Sequence, residues 1–450
     1  MRLQSKGKMA LAAMATVPFI MVLGNSMLIP VLPQIKKVLN ISQFQVSLLI
    51  TLFSVPAGLA IPFAGFFSDR VGRKKIIAPA LLIYGLGGVI ASAAALLMQH
   101  PYPVILAGRV VQGIGAAGTA PVAMALAGDI FTSHERSKAL GIIESSNGLG
   151  KVVSPVVGSL IGLIAWYAAF FVFPVLCVPA AIAIWFLVKE PQAAGSKQPL
   201  GQYIKSLGKI FQNKAAFLFT AFLAGSLVLL ILFGILFYLS DFLETRYNLF
   251  NTRKGLVLAI PVLAMSSTSF LTGHYIKKKI DLMKTLVVMG LALVTLSLAV
   301  IPFFRNIYFF VGIMVFAGIG VGLVLPCLNT LITGSVSTDE RGMVTSLYGG
   351  VRFFGVAIGP PLFGWLMNYG AFVMFWTASV AALLTGLLAA FLLPVKANQA
   401  PEATSAAGNK KSLSRLFMDT ITLKNTVDRL VTRKPLPEKA GNSNKQKESN

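Results

Sequence analysis

The chain has few of the residues that build catalytic and metal sites. Only 15 of its 450 residues are Asp or Glu, and three are His. The two cysteines, Cys177 and Cys327, lie inside apolar runs, which excludes a disulfide framework and a thiolate metal site. The sequence has no G-x-x-x-x-G-K-[ST] motif, so it holds no phosphate loop for ATP. It shows no catalytic triad either, and we expect neither an enzyme nor a bound cofactor or metal.

Charge of either sign is also scarce. Charged residues make up 12% of the chain, whereas a soluble protein carries about a quarter. Hydrophobic residues make up 56%, and the mean hydropathy is +0.77. Apolar runs of about 20 residues match the hydrocarbon thickness of a bilayer. The sequence therefore predicts an all-α polytopic membrane protein with twelve transmembrane helices, at 9–32, 44–67, 76–98, 103–129, 139–163, 166–188, 215–239, 255–276, 285–304, 307–333, 343–367 and 371–394.

The basic residues, which give a net charge of +24, fall in the gaps between the apolar runs rather than on one soluble face. This placement argues against nucleic acid as a partner. The N-terminus and the loops near 70, 136, 200, 280 and 340 carry 19 Lys and Arg, against six in the opposite loops. By the positive-inside rule, we expect a multi-pass protein of the cell membrane with both termini in the cytoplasm.

Glycines, prolines and charges recur at a fixed offset of 205 residues. So many matches at one shift indicate two copies of a six-helix unit. We therefore expect pseudo-symmetric bundles at 1–190 and 214–396, joined by a cytoplasmic linker loop at 191–213. Parallel halves place a binding site at their interface, near the bilayer midplane. The matched positions include Gly113 with Gly318, Gly115 with Gly320, Pro121 with Pro326, Gly150 with Gly355 and Pro155 with Pro360.

Three stretches carry motifs: "GFFSDRVGRKK" at 65–75, "LAGRVVQGIGAAG" at 106–118 and "GKVVSPVVGS" at 150–159. They resemble the helix 2–3 loop, the helix-4 motif and the helix-5 antiporter motif of the major facilitator superfamily, in its twelve-helix drug:proton antiporter branch. The resemblance implies a monomeric, proton-coupled exporter of lipophilic small molecules or drugs that works by alternating access. Three alternatives stay open: a flippase or exporter of an anionic lipid or metabolite, an importer of a polar metabolite, and a non-transporting membrane sensor.

The first motif places one acid among bases at the end of an apolar run. Its glycines let the chain turn tightly. The resemblance implies that Asp69 contacts Arg73 and the N-terminus of helix 11, whose dipole favours an anion, with Asp129 as a third member. We expect a latch that stabilises the outward-open state; a solvated loop that only fixes topology is the alternative. The latch residues are Gly65, Asp69, Arg70, Gly72, Arg73 and Asp129.

Ionisable residues inside apolar spans are costly and mark functional sites. Glu144, Asn147 and Lys151 share one face of helix 5, because they follow the i, i+3, i+7 spacing. A carboxyl group enclosed by hydrocarbon favours its neutral form. We therefore expect Glu144 to carry the coupling proton or to balance a cationic drug. A structural ion pair between Glu144 and either Arg352 or Lys151 is the alternative.

Arg109 matches the helix-4 arginine, and the resemblance implies a role in proton or substrate coupling. The alternative for Arg109 is a structural hydrogen bond to the backbone of helix 1 or to Asn25. Three bases, Arg109, Lys151 and Arg352, outnumber the single acid and make the predicted cavity positive, which suits neutral or anionic cargo. Asn25 either contacts cargo or makes a hydrogen bond between helices. The expected cavity residues are Asn25, Asn147, Lys151 and Arg352.

The helix-5 motif has small residues four positions apart. Gly150, Ser154 and Gly158 form a surface suited to close helix packing, and Pro155 completes the motif. Ser154 stands where the family motif has glycine.

Charges also occur at the end of helix 7 and in the tail. Asp241 and Glu244 either gate the exit or are exposed charges at a helix end. In the polar, basic tail at 397–450, apolar residues at near-helical spacing alternate with bases over 413–434. This pattern predicts an amphipathic helix on the cytoplasmic leaflet, attracted by anionic lipid. The expected partners are thus a small-molecule substrate, protons and membrane lipids.

Overall fold

The computed structural model describes residues 5–131, 133–190, 200–276, 280–304, 306–336 and 338–393. These residues form helices and short connections, with no β-strand among them. The predicted amphipathic helix in the tail lies outside the described residues. The helices are α1 Ser5–Ser26, α2 Leu32–Leu39, α3 Gln43–Val71, α4 Arg73–Leu97, α5 Tyr102–Ala117, α6 Ala120–Ile130, α7 Ser133–Ile161, α8 Ala168–Leu187, α9 Leu200–Tyr247, α10 Asn251–Tyr275, α11 Ile280–Val300, α12 Ile307–Gly334, α13 Thr338–Leu366 and α14 Ala371–Leu392.

Eleven helical segments of the described chain are long and apolar enough to cross a membrane. The first of them runs through α1 and α2, which a short 3₁₀ turn at Ile29–Val31 connects, and another runs through α5 and α6. α7 has 29 residues and supplies the twelfth span. It falls outside the eleven because its serines and Asn147, together with Glu144 and Lys151, make it less apolar than the other spans. The predicted all-α, twelve-span architecture is therefore confirmed.

The segment at 191–213, predicted as a loop, is helical from Leu200 onward. It runs into the next span, and the backbone leaves helical geometry at Lys214, where φ is −134° and ψ is 26°. The physical reason lies in the sequence, since apolar residues in "LGQYIKSLGKIF" recur at helical spacing. The linker thus ends as a short helix that meets the span at a bend.

The two halves of the chain repeat one packing scheme. In each half, glycines lie where a neighbouring helix comes so close that a Cβ would collide with it or make a tight contact. Glycines 205 residues apart meet equivalent helices, because α3, α4 and α1 of the first half correspond to α10, α11 and α9 of the second. The equivalent contacts are Gly113 on Phe53 and Gly318 on Pro261, Gly115 on Tyr84 and Gly320 on Gly290, and Gly150 on Phe19 and Gly355 on Ser226.

The halves meet along two helix pairs, α3 with α13 and α7 with α10. On the first pair, Thr51 Oγ1 donates a hydrogen bond to the Ala357 carbonyl oxygen at 2.7 Å. A Cβ on Gly58 would lie 2.8 Å from the carbonyl oxygen of Gly350, so the two backbones nearly touch. Small residues such as these glycines allow membrane helices to approach each other closely. The interface that the repeat predicts is therefore built from backbone contacts between the halves.

Candidate functional site

The turn between α3 and α4 brings three of the predicted latch residues together. α3 ends at Val71, and α4 begins two residues later because Gly72 adopts a φ of 111°, which L-residues disfavour. The Arg73 guanidinium then lies between two carboxylates, 2.9 Å from Asp69 and in contact with Asp129. Both carboxylates are partly exposed, so each ion pair is worth little on its own. We call this end of the helical bundle the latch end.

The other latch residues have different surroundings. The Arg70 guanidinium lies 3.6 Å from the centre of the Phe66 ring rather than among the acids. Gly65 packs against the Ser346 side chain of α13, which brings the two halves together next to the latch. The side chains of residues 338–340, at the start of α13, are not described. Among the side chains that are described, Asp69 contacts Arg73 and none from α13. The predicted contact across the halves is therefore absent from the described part of this conformation.

Sequence reasoning missed Glu190, which holds the start of α4. Its carboxylate accepts hydrogen bonds from the backbone N–H groups of Arg73, at 2.5 Å, and Lys74, at 3.1 Å. A carboxylate at a helix N-terminus satisfies unpaired donors and complements the helix dipole. Lys74 Nζ in turn donates to the Val188 carbonyl oxygen at 2.9 Å. The residues that follow α8 thus hold the latch turn, and the sequence signal for this is an acid two residues after an apolar run.

Arg109 is fully buried at the centre of the first half, with 0% of its surface exposed. Its guanidinium lies 4.5 Å from the centre of the Phe53 ring. Three of its four hydrogen bonds join α5 to α1 and α3, and the fourth stays within α5, a pattern that matches the structural alternative for this residue. Its acceptors are the Leu49 carbonyl at 2.8 Å, the Gln112 side chain at 2.6 Å, the Gly24 carbonyl at 2.9 Å and the Asn25 side chain at 2.8 Å.

Asn25 makes the hydrogen bonds between helices that sequence reasoning held open as the alternative to a cargo contact. Asn25 is buried, and its amide nitrogen donates to Ser54 Oγ at 2.7 Å while its oxygen accepts from Arg109. Both polar ends of the side chain are therefore occupied. Buried polar groups that are fully paired rigidify a core. Asn25 serves as the link between α1, α3 and α5 in the same cluster as Arg109.

Glu144, Asn147 and Lys151 follow one face of α7, as their spacing predicts. Ser146 on one side of this face donates to the Ala15 carbonyl of α1, and the Gly148 carbonyl on the other side accepts from α10. The face therefore lies between the two halves. Glu144 is exposed rather than enclosed, and Asn147 and Lys151 are partly exposed.

The ion pair that sequence reasoning held open for Glu144 is not formed. Among the described residues, no ammonium or guanidinium group lies within 4 Å of the Glu144 carboxylate. Lys151 instead interacts electrostatically, over longer range, with Glu144 and with Arg352 of the other half. Two bases from opposite halves thus face the same region without a close acid, and this region is positive.

Arg352 belongs to a group of unpaired polar atoms on α13. Its Nε, the Tyr348 hydroxyl and the Thr345 hydroxyl are all buried and have no hydrogen-bond partner. The Arg352 guanidinium lies 5.4 Å from the centre of the Tyr348 ring. The three residues follow the i, i+3, i+7 spacing and share one helix face. Buried polar atoms are normally hydrogen-bonded. Three buried donors without a partner on one helix face therefore mark a place where a ligand could accept hydrogen bonds.

The helix-5 motif packs α7 against its own half and against the other half. Gly158 packs on the carbonyl of Met27, which directly follows α1, and a Cβ on Gly158 would collide with it. Ser154 is buried and its hydroxyl bonds back to the Gly150 carbonyl within α7. The carbonyl of Pro155 lies against Gly255 of α10, in the other half. The motif is therefore a packing device, and the serine keeps the small volume that the glycine of the family provides.

The end of the bundle opposite the latch, which we call the distal end, holds a buried ion triad. The Glu244 carboxylate lies 2.7 Å from Lys37 Nζ and 2.8 Å from Lys254 Nζ. Glu244 is 5% exposed and Lys254 is 3% exposed, so the alternative of an exposed helix-end charge is wrong for Glu244. Lys37 belongs to the first half and the other two residues to the second. Asp241 is partly exposed and interacts electrostatically with all three.

Twelve helical spans in two equivalent halves, with ionisable groups between them, define a polytopic secondary transporter. The sequence matches the family model described as Major Facilitator Superfamily over residues 14–351 and 252–431. The chain therefore belongs to the major facilitator superfamily, whose members move small molecules and are not enzymes.

Three similar proteins set the context. The "Bacillibactin exporter" of Bacillus subtilis (strain 168) is 42% identical over 389 residues, which cover 86% of this chain and 97% of that protein. "Multidrug resistance protein 2" of the same organism is 25% identical, covering 78% and 86%. A solved bacterial homologue of the human lysosomal transporter Spinster superposes with a TM-score of 0.68 at 17% identity, covering 87% and 96%. The first two support export, and the third supports the fold.

Proposed function

We propose that this protein is a proton-coupled exporter of the cell membrane and that its cargo is a small molecule with acidic or hydrogen-bond-accepting groups. The observation that carries the proposal is the unpaired positive region between the halves, where Lys151 and Arg352 have no close acid. A cationic drug would be repelled there, whereas an anionic group gains a charge-assisted hydrogen bond. The relative with the highest identity of the three is named a bacillibactin exporter, so bacillibactin is the first cargo to test.

The coupling proton is proposed to bind Glu144. This residue is the one acid on the α7 face that contains Asn147 and Lys151, and it lies nearer the latch end than either. Exchange requires that the proton and the cargo occupy the region in turn rather than together. The coupling is therefore proposed to act through the alternating states of the two halves, with Glu144 protonated in the state that returns without cargo.

The latch end is proposed to face the cytoplasm, because its loops carry most of the basic residues. The cluster of Asp69, Arg73 and Asp129 would then hold the latch turn rigid while the halves rock. In the outward-open state, Asp69 is proposed to contact the N-terminus of α13.

Transport into inside-out vesicles tests the cargo class. Vesicles that contain the protein should accumulate bacillibactin, and Lys151→Ala should reduce the rate at limiting cargo. Lys138→Ala is the matched control, since Lys138 is an exposed lysine in the first turns of the same helix. Equal losses in both variants, or no loss in Lys151→Ala, would contradict the proposed role of the positive region.

A lipophilic drug is the second candidate cargo, because one relative is a multidrug resistance protein. Ethidium and tetraphenylphosphonium, both cations, separate the two candidates in the same vesicles. If the protein exports both cations, and Lys151→Ala does not change their rate of export, a lipophilic drug is the favoured cargo. A sensor function is tested by deletion of 397–450: a transporter keeps its activity without the tail, and a sensor loses its output.

A further inference from the structure

The distal end contains a cavity that no expected cargo residue lines. Its volume is about 370 Å³, within the range of small-molecule sites. The first half supplies residues from the end of the first span and from the end of α7, and the second half supplies residues from α9 and α10. The lining residues are Pro30, Val31, Gln34, Lys37, Ser159, Gly162, Glu244, Phe250 and Lys254.

The polar groups of this cavity are unusual in their pairing. A single carboxylate, that of Glu244, serves the two ammonium groups of Lys37 and Lys254, so the triad keeps one positive charge. Ser159 is 4% exposed, and its hydroxyl has no hydrogen-bond partner. Buried polar groups without partners are rare in proteins. Asp241 interacts electrostatically with the triad from outside the cavity lining, and Lys36, which also interacts with Asp241, balances its charge. The cavity therefore offers one cation in excess and an unused hydroxyl donor, the two groups that an acidic ligand needs.

An apolar wall accompanies these polar groups. Phe250 lines the cavity, and Lys37 Nζ lies 5.5 Å from the centre of its ring. Pro30 and Val31 add apolar surface on the other half. A planar acid such as an aromatic carboxylate would place its ring against this wall and its oxygens towards Lys254 and Ser159. A purely aliphatic or cationic ligand would leave the buried lysine and the hydroxyl unused.

We propose that the distal cavity is an exit-side binding site for an acidic, ring-bearing group of the cargo, which replaces the Glu244 carboxylate at the lysines. This proposal rests on the proposed export of an acidic cargo, and it adds a second site on the route. The side chain of Lys37 is 62% exposed, so its link to Glu244 is the weaker of the two and exchanges first. Because this link joins the halves, its exchange also frees the distal end to open.

A thiol-protection experiment tests the site without transport. Gln34, a partly exposed lining residue, is changed to Cys in a background that carries Cys177→Ser and Cys327→Ser, both of which replace buried thiols. The purified full chain in nanodiscs is labelled with a membrane-impermeant maleimide. Benzoate should slow the labelling of Gln34→Cys, whereas benzamide, its neutral analogue, should not. Benzamide lacks the charge-assisted contact that the benzoate carboxylate makes, and the loss of one such contact weakens binding by about tenfold or more.

Variants of the lysines and of the serine localise the effect. Lys254→Ala and Ser159→Ala should each raise the benzoate concentration needed for half protection, and Ser159→Ala removes too little to unfold the protein. Lys36→Ala is the matched control, because Lys36 neighbours Lys37 on α2 but does not line the cavity.

Three results would overturn the proposal. Protection by neither compound means a solvent-filled vestibule, and equal protection by both compounds means that the acid is not recognised. Protection that Lys151→Ala abolishes and Lys254→Ala leaves intact means that benzoate acts only from the central region. Protection without bacillibactin transport would leave the site standing and refute the cargo class, so the two failures are distinguishable.

Discussion

Replacement of Arg109 by lysine should destabilise the first half while it preserves the charge. The guanidinium reaches four acceptors on three helices from three nitrogens. A lysine ammonium has its donors on one nitrogen and cannot span these positions. About two of the four acceptors would lose their donor, and each buried acceptor left unpaired costs about 1–3 kcal/mol, so we expect a loss of about 2–6 kcal/mol.

Thermal unfolding of the purified protein in detergent, followed by tryptophan fluorescence, measures this loss. Large membrane proteins commonly unfold irreversibly. The half-life of the folded protein at a fixed temperature is therefore compared, together with the midpoint of thermal unfolding. Arg246→Lys is the matched control, because Arg246 is an exposed arginine at the end of α9. If Arg109→Lys is as stable as Arg246→Lys but transports nothing, Arg109 is a coupling residue and the structural argument fails.

Three further substitutions test other parts of the account. Asp69→Asn should lower the transport rate severalfold with expression and cargo binding retained, because it removes one carboxylate from Arg73; an unchanged rate would remove the latch from the mechanism. Glu144→Gln should abolish the dependence of transport on a pH gradient, since the amide cannot take up a proton; retained dependence would place the proton elsewhere. Gly158→Leu should cost about 1–3 kcal/mol or more by overpacking, because its side chain would collide with the Met27 carbonyl just after α1. Gly141→Leu, in open space on α7, should fold normally, and equal yields of folded protein would contradict the close packing.

The pseudo-symmetry of the fold was predictable because it rests on residues with no side chain. A glycine that meets a neighbouring backbone cannot be replaced, so the same glycines recur in both halves at one offset. Gly113 and Gly318 are such a pair, and the structure gives them equivalent neighbours. The linker was predicted less well, since its charge and its glycines suggested a loop while its apolar spacing favoured the helix that begins at Leu200.

The site was predictable where the partners are close in sequence. Asp69 and Arg73 are four residues apart on either side of the Gly72 turn, and the family resemblance pairs them. Glu144 and Lys151 are two turns apart on α7, so their spacing places them on one helix face. The acceptors of Arg109 include the carbonyls of Gly24 and Leu49, which any residue would supply and no side-chain pattern reveals.

The distal triad was missed for a related reason. Sequence reasoning placed Glu244 at a helix end, where charges are usually solvated. Its burial depends on Lys37, which lies 207 residues away in the other half. Lys254, only a few residues into α10, was counted as a loop base. The environment of Lys37, Glu244 and Lys254 depends on the contact between the halves. That contact arises only when the chain is folded, so the local sequence around each residue does not show it.

The most direct test of the account is a measurement of proton movement that cargo induces. Inside-out vesicles with an acidic interior and an enclosed pH-sensitive dye contain the wild-type protein or Glu144→Gln. Addition of bacillibactin should raise the internal pH in wild-type vesicles as cargo enters and protons leave, and Glu144→Gln should show no such rise. Entry of cargo with no change in internal pH, or an equal rise in both vesicles, would contradict an exporter that exchanges cargo for protons through Glu144.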